Sequence, residues 1–386
     1  MNPRLIFRDI SRSRFIAEYW HKRPLVLRQA IPPAAVALAP DELAGLACEP
    51  DIESRLVIHH GGTDWSLRHG PFEEQDFTRL PARDWTLLVQ DVDKHLAEVA
   101  ALLDAFDFVP DWRLDDIMIS YAVDGGGVGP HTDNYDVFLI QALGRRRWRL
   151  SDGVFGEEDL LPNCPLRILK DFPVDQDLVL EPGDVLYLPP RVGHWGTAVG
   201  ECMTWSVGMR GPSDLELLAA WIEHLAHRER PHLGDSIAPD SGDPARLTTD
   251  DIAHARELLQ GCLPGDNPDF RRWLGAHLTE PKPGFEIEPI DPPCSPEMLR
   301  AWRREGQSLH RHPWARFALV QPDMESLALC CQGEALTVDP ALEPAVTLIC
   351  RLRHFTLDQL PAPPDTTRLD SLLAELLTRR WLVTDD

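Results

Sequence analysis

Three residues of this chain could share one metal ion. His131 and Asp133 stand two apart in the run Gly125-Gly126-Gly127-Val128-Gly129-Pro130-His131-Thr132-Asp133. On an extended strand that spacing puts both side chains on one face, where an imidazole and a carboxylate can ligate the same ion. By itself a His-x-Asp pair is a weak signal in a chain with 15 histidines. A second stretch strengthens it. Glu181-Pro182-Gly183-Asp184 reads as a tight turn, Val185-Leu186-Tyr187-Leu188 as a strand, Pro189-Pro190 as its stop, and His194 follows. In a small antiparallel barrel such a strand can return beside the one that bears His131. Two histidines and one carboxylate are the facial ligand set of non-haem Fe(II) oxygenases, which leaves coordination positions open. The absence of a thiolate argues against structural zinc. The bland alternative is a pair of unrelated loop histidines.

A third stretch, Gly144-Arg145-Arg146-Arg147-Trp148-Arg149-Leu150, alternates. Arg146, Trp148 and Leu150 share one face, so Arg146 is expected to be partly buried. Arg145, Arg147 and Arg149 are expected to meet solvent or acidic neighbours. A buried guanidinium needs an anion. That anion is either a protein carboxylate or the far carboxylate of a dicarboxylic cosubstrate lying on the metal, held as a bidentate pair. Ser120, on the opposite strand face from Ile119 and Tyr121, could donate its hydroxyl to the same ligand; Ala122 is the alternative neighbour.

These residues need strands to hold them. Before residue 213 the chain is rich in short β-prone runs: Leu25-Val26-Leu27, 55–58, 85–89, 117–123, 137–143, 146–150, 178–180, 185–188 and 202–209. Many short strands at that spacing suggest a barrel or sandwich. A helix is expected over 12–19. From Ser213 the texture turns helical, with Leu218, Trp221, Ile222 and Leu225 at helical spacing and a second helix over 250–263. A loop rich in Pro, Gly and Asp, 230–246, separates them. Pro281-Lys282-Pro283 and the prolines of 289–293 form a linker. Ser295-Pro296-Glu297 reads as a helix start. Helices over 345–355 and 369–377 and a strand at Trp381-Leu382-Val383 suit a small winged-helix-like module.

The 386 residues are enough for two or three domains, and 38 basic against 62 acidic residues leave a net charge of −24. That balance disfavours general affinity for phosphate backbones and favours basic partners. Arg379-Arg380 lies in an acidic neighbourhood, so no direct nucleic-acid contact is expected. The glycine run enters a His-x-Asp strand rather than a helix and is no dinucleotide loop. His59 and His60 are adjacent and face opposite sides of a strand. The eight cysteines are scattered without a C-x-x-C pair and read as small buried residues in a reducing compartment. No apolar run is long enough to span a membrane and no signal peptide is evident, so a cytoplasmic protein is expected.

The run at 125–133, Asp136-Val137-Phe138-Leu139, Gly144-Arg145-Arg146-Arg147-Trp148 and the 181–194 segment together resemble a JmjC-type cupin oxygenase. Tyr19-Trp20-His21-Lys22-Arg23-Pro24-Leu25 and Trp85-Thr86-Leu87-Leu88-Val89-Gln90-Asp91-Val92-Asp93 resemble its bacterial ribosomal oxygenase branch, which hydroxylates an arginine in the sixteenth protein of the large ribosomal subunit. The resemblance covers about residues 16–211. It implies an α+β fold: a double-stranded β-helix, the jelly-roll barrel, over 1–212, a helical dimerisation region over 213–284 and a winged-helix-like domain over 285–386. It implies Fe(II) on His131, Asp133 and His194, and 2-oxoglutarate held by the metal, Arg146 and Ser120. Succinate and CO2 would be the co-products, a basic ribosomal protein the substrate, and a homodimer the assembly. Asp115, Asp124 and Asp136 lie near enough in sequence to receive a substrate guanidinium and are left unassigned. The competing readings are the same chemistry on a histidyl residue or on RNA, a non-catalytic cupin binding or assembly module, and a metal-dependent cupin isomerase.

Overall fold

The β-prone first half of the chain forms nine strands in the computed structural model, which describes residues 5–8, 10–226, 228, 246–361 and 366–384. They are β1 (Leu25–Leu27), β2 (Ser54–Gly61), β3 (Asp64–His69), β4 (Trp85–Val89), β5 (Leu114–Ala122), β6 (Val137–Ser151), β7 (Gln176–Leu180), β8 (Val185–Leu188) and β9 (Gly193–Met209). They make one antiparallel sheet in the order β1-β8-β6-β9-β5-β4-β2-β3, with β7 beside β6.

The runs expected at 137–143 and 146–150 are one strand, β6. It pairs with β9 from Val137–Gly208 to Ser151–Gly193, and the register shifts at Gln141/Leu143 and Gly144/Arg145. Such bulges bend a strand and tighten its twist, and they curl this sheet into the jelly-roll barrel. Gly144 sits at the second bend with φ +61°, where a Cβ would strike the Glu201 carbonyl oxygen.

Strand β6 is buried on both sides. Phe138 and Ile140 enter the main core with Phe15, Phe106, Tyr187 and Trp205. Val137, Leu139, Trp148 and Leu150 form a second cluster with Leu180, Leu186 and Leu188. Double-sided burial is why 137–143 reads as an apolar run rather than an alternating one. Helices α1 (Arg12–Glu18), α2 (Pro40–Leu46) and α4 (Ala97–Ala100) add Phe15, Leu43 and Val99 to the main core; α3 (Glu74–Thr78) buries none of its residues.

Beyond the barrel come α5 (Asp214–Ala226), α6 (Thr249–Gln260) and α7 (Pro268–Leu278). The expected loop at 230–246 lies outside the described residues except for Arg246. Trp221 of α5 meets Phe270 and Trp273 of α7, with ring centroids 5.4 and 4.9 Å away. Of the α5 stripe, Trp221 and Leu225 are buried, whereas Ile222 stays 52% exposed.

The C-terminal part contains α8 (Pro296–Glu305), β10 (Ser308–Arg311), β11 (Ala318–Asp323), β12 (Ser326–Cys331), β13 (Glu334–Val338), α9 (Glu343–Arg351), β14 (His354–Thr356), α10 (Thr367–Thr378) and β15 (Leu382–Thr384). Ser295 stands at the N-cap of α8 without a side-chain capping bond. Two three-stranded sheets form, β14-β10-β15 and β11-β12-β13. The helix expected over 345–355 stops at Arg351. Phe355 belongs to β14, where it pairs with Leu309 and is buried, so tertiary burial overrides the helical spacing. Helix α7 packs on the β11-β12-β13 sheet, with Gly275 against Val320 and Cys330.

Candidate active site

A single pair of backbone contacts builds the metal-binding geometry. The expected His131–Asp133 strand is an extended connection that makes one isolated bridge before β6 begins. His131 N–H donates to His194 O at 3.0 Å, and His194 N–H donates to His131 O at 2.9 Å. Arg191 N–H donates to Asp133 O at 2.7 Å. His194 sits at the start of β9, and it is β9 rather than the 185–188 strand that lies beside His131; that strand pairs with β1 and β6.

The bridge sets the two imidazoles 4.2 Å apart between ring centroids. Both point Nε2 at Asp133: His131 lies 3.9 Å from its Oδ1 and His194 3.5 Å from its Oδ2. One ligand atom from each of the three residues falls within 4.8 Å of the other two. The Nδ1 atoms face backbone carbonyls, Gly129 O for His131 and Val192 O for His194, each at 3.0 Å. That bonding assigns the proton to Nδ1 and leaves the Nε2 lone pairs free for a cation. Burial, and then the neighbouring His131, push the His194 imidazole well below its ordinary value, so it is neutral, the form that ligates. The Tyr135 hydroxyl hydrogen-bonds Asp133; desolvation of the hydroxyl end and that carboxylate raise the Tyr135 pKa, although the residue is 44% exposed.

The barrel interior beside the triad is a cavity of about 410 Å³, and the triad, Arg146, Ser120 and Thr204 all line it. Arg146 is 4% exposed, more deeply placed than the partial burial expected. Its Nη1 donates to Ser120 Oγ at 3.1 Å and to Thr204 Oγ1 at 3.2 Å, and its buried Nε has no partner. Among the described residues no carboxylate pairs with it. The chemistry of this wall is that of an anion receptor: one buried cation with a spare N–H, steadied by two hydroxyls whose own protons go to Thr204 O at 3.4 Å (Ser120) and Gln141 Oε1 at 3.3 Å (Thr204). Close backbone approaches make the room. A Cβ on Gly196 would strike Trp148 and Arg146 Nε, and one on Gly127 would fall 2.3 Å from Gly196 O.

Of the other arginines on β6, Arg147 pairs with Asp177, while Arg149 stacks over Trp195 at 3.8 Å instead of meeting an acid. Ala122 packs in a small cluster with Ala198 and Cys202, outside the cavity wall. Asp136 is fully buried and bonded to His21, Arg113 and Tyr187, so its oxygens are engaged. Asp124 is exposed and accepts from Arg83 and Gly200 N–H. Asp115 lines the cavity, and so do Asp116, Met118 and Tyr135. Sequence reasoning passed over Asp116 and Thr204, yet each had a signal. Asp116, Met118 and Ser120 alternate along β5, and Thr204 and Ser206 are hydroxyls two apart in an otherwise apolar run, both on the cavity wall.

His59 stacks on Trp65 and His60 bonds Ser66, so they share no site. Arg379 is engaged by Glu334 and Glu375. No described helix is long and apolar enough to cross a membrane.

Comparison with known proteins places this geometry in a family. Residues 101–217 match the JmjC domain and residues 263–383 match the ROXA-like winged helix. The chain is 38% identical over 316 residues to the ribosomal protein uL16 3-hydroxylase of Escherichia coli (strain K12), covering 80% of this chain and 82% of that protein. It is 38% identical to a probable ribosomal oxygenase of Haemophilus influenzae over 74% of this chain and 73% of that one. The structure of YcfD, a ribosomal oxygenase from Escherichia coli in complex with cobalt and 2-oxoglutarate, superposes with a TM-score of 0.82 at 32% identity, covering 100% of both chains. The chain belongs to the JmjC-domain ribosomal oxygenases that carry a ROXA-like winged helix.

Proposed function

We propose that the protein is an Fe(II)- and 2-oxoglutarate-dependent oxygenase that hydroxylates an arginyl residue of a large-subunit ribosomal protein, with uL16 as the substrate the relatives suggest. The observation that carries this reading is Arg146, a deeply buried cation with no acidic partner among the described residues, on the wall of the cavity that also holds the triad. His131, Asp133 and His194 would hold the iron, two imidazoles and a carboxylate being the ligand set of non-haem Fe(II) oxygenases. When bound, iron and 2-oxoglutarate supply the oxidising chemistry that turns a C–H into a C–OH, with succinate and CO2 as co-products.

The chain's own residues bind and orient. Arg146 takes the distal carboxylate, and Ser120 and Thr204 fix the guanidinium plane. Tyr135 holds the Asp133 carboxylate in place. Trp148, Val137 and Leu139 keep water from that end of the cavity. On the β5 wall, Asp116 offers a buried carboxylate to a substrate guanidinium, with Met118 and Tyr135 to flank its alkyl stem. Arginine over histidine follows from that carboxylate and from the acidity of the whole chain. The protein acts in the cytoplasm without direct nucleic-acid contact, and the exposed apolar residues of α5 and α6 serve a homodimer through the 213–284 region, ahead of the 285–386 module.

Succinate formation from 2-oxoglutarate with Fe(II), O2 and uL16 peptides tests the reading, with His131→Ala as control. Peptide-stimulated turnover that adds one oxygen to an arginine supports it. Turnover on a histidine peptide or RNA instead shifts the substrate, and no turnover with iron bound favours a binding module.

A further inference from the structure

We propose that Lys282, in the segment between α7 and α8, is a positioning residue that holds the acidic wall of the catalytic cavity, Asp115 and Asp116, ready for the substrate guanidinium. This rests on the arginyl reading above and concerns how the far part of the chain reaches that site. Lysine is scarce here: Lys22, Lys94, Lys170 and Lys282 are all the chain has among 38 basic residues. Two of these four meet in one acidic cluster.

Lys282 Nζ lies 3.0 Å from Asp91 Oδ1, 3.3 Å from Asp115 Oδ1 and 4.0 Å from Asp116 Oδ2. Asp91 N–H donates to Asp116 Oδ2 at 3.2 Å, so the anchor of the lysine is also an anchor of the cavity carboxylate. Lys94 bonds Asp91, lies 3.7 Å from Asp93 and donates to Asp115 O at 3.1 Å. Arg316 of the C-terminal part bonds the Leu114 and Asp115 carbonyls and lies 3.5 Å from Asp115 Oδ1. Four aspartates thus face three bonded cations, which leaves the cluster short of positive charge on its cavity side. Arg210 and Glu280 lie at its edge with opposite charges, and Tyr135 faces Asp116 from across the cavity.

The linker is shaped for this task. Pro281 fixes its own φ, and Pro283 restricts Lys282 to extended backbone. The lysine is thereby presented from a stiff strap. Phe285 of the same strap covers Lys94, whose Nζ is 5.4 Å from its ring centroid, and Trp314 Nε1 donates to Lys94 O at 3.0 Å. Without the lysine, three crowded carboxylates would share one fewer cation, and the least solvated would take up a proton. A neutral acid no longer pairs with a guanidinium.

The test uses the full chain and an arginine-containing uL16 peptide, with Lys282→Met and Lys282→Arg compared. Lys282→Met is expected to raise the peptide KM, and to weaken peptide binding in fluorescence anisotropy, by about tenfold, the loss typical of one charged hydrogen bond. The KM for 2-oxoglutarate is expected to stay within about twofold, and Lys282→Arg to restore peptide binding. Unchanged peptide binding in Lys282→Met overturns the proposal, as does an equal rise in the 2-oxoglutarate KM, which would mark general loosening. Peptide that binds the unaltered chain without being hydroxylated counts against the proposed reaction, while the anisotropy comparison still decides the role of Lys282. Peptide that fails to bind the unaltered chain overturns both.

Discussion

His131 and His194 hold each other through a reciprocal pair of backbone hydrogen bonds, N–H to O in both directions, at 3.0 and 2.9 Å. The two residues are 63 positions apart, yet this bridge sets both Nε2 atoms toward Asp133. The main chain thus brings the two ligand histidines to the same end of the cavity.

Removing one ligand should abolish tight metal binding. Co(II) titration followed by visible absorption is expected to show His194→Ala weakened by more than about a hundredfold, beyond the 10–100-fold typical of outer-shell changes. Tyr135→Phe, which removes only the hydroxyl on Asp133, should fall within that outer-shell range. Equal losses in the two variants would contradict these roles.

Arg146 should matter for the cosubstrate and little for the empty fold. Its burial without a carboxylate partner costs stability until a dicarboxylate arrives. Arg146→Met is expected to leave the melting temperature of the ligand-free protein unchanged or higher. It should also erase the rise that 2-oxoglutarate produces and raise the 2-oxoglutarate KM about a hundredfold, or ~3 kcal/mol, as for a lost charged bidentate pair. A large drop in ligand-free stability would instead mark Arg146 as structural.

Asp116 is expected to give turnover of an arginine peptide a pH dependence. Burial, against the pull of Lys282, pushes its carboxyl up to about 6. Below that pH the group is protonated and neutral; above it the group is anionic. The kcat/KM for an arginine peptide should therefore rise with pH through about 6, while the KM for 2-oxoglutarate stays flat over the same range. Asp116→Asn should lower kcat/KM at neutral pH and remove the dependence. A pH profile unaltered by that change would discount Asp116.

The exposed apolar residues of α5 and α6 should report the assembly. Ile222 is 52% and Leu259 72% exposed in the single chain. Large exposed apolar residues on two successive helices are candidates for an interface between copies of the chain. Sedimentation of the unaltered protein is expected at twice the chain mass, and of Ile222→Glu with Leu259→Glu at the chain mass. A monomer before mutation would refute the dimer.

Much of the barrel was legible because short β-prone runs broken by Gly and Pro punctuation are a local property. Leu25-Val26-Leu27, 85–89 and 185–188 fall on β1, β4 and β8. The break expected at Gly144 was a bulge inside one strand, since chain curvature at a glycine looks the same in sequence as a turn. Strands β11–β13 were missed although they pair locally, through the two-residue connections Met324-Glu325 and Gln332-Gly333; β10 had no local signal, since its partners β14 and β15 lie far along the chain. Phe355 fits a helical stripe and still joins β14, where burial against Leu309 outweighs propensity.

The triad and Arg146 could be named from the sequence because their chemistry is carried by residue type and short spacing. His-x-Asp, the turn–strand–histidine run and an arginine on an apolar face each declare a local constraint. What the tertiary structure decided is which groups converge. Thr204 reaches Arg146 only because β9 lies between β5 and β6, with Ser120 and Gln141 as its cross-strand neighbours. Asp116 becomes a cavity wall, and Lys282 its support, only because the linker folds back onto β5. Sequence records what each residue can do; distances between segments far apart along the chain are set by the packing of the whole, and those distances determine which carboxylates are paired and which remain free for a ligand.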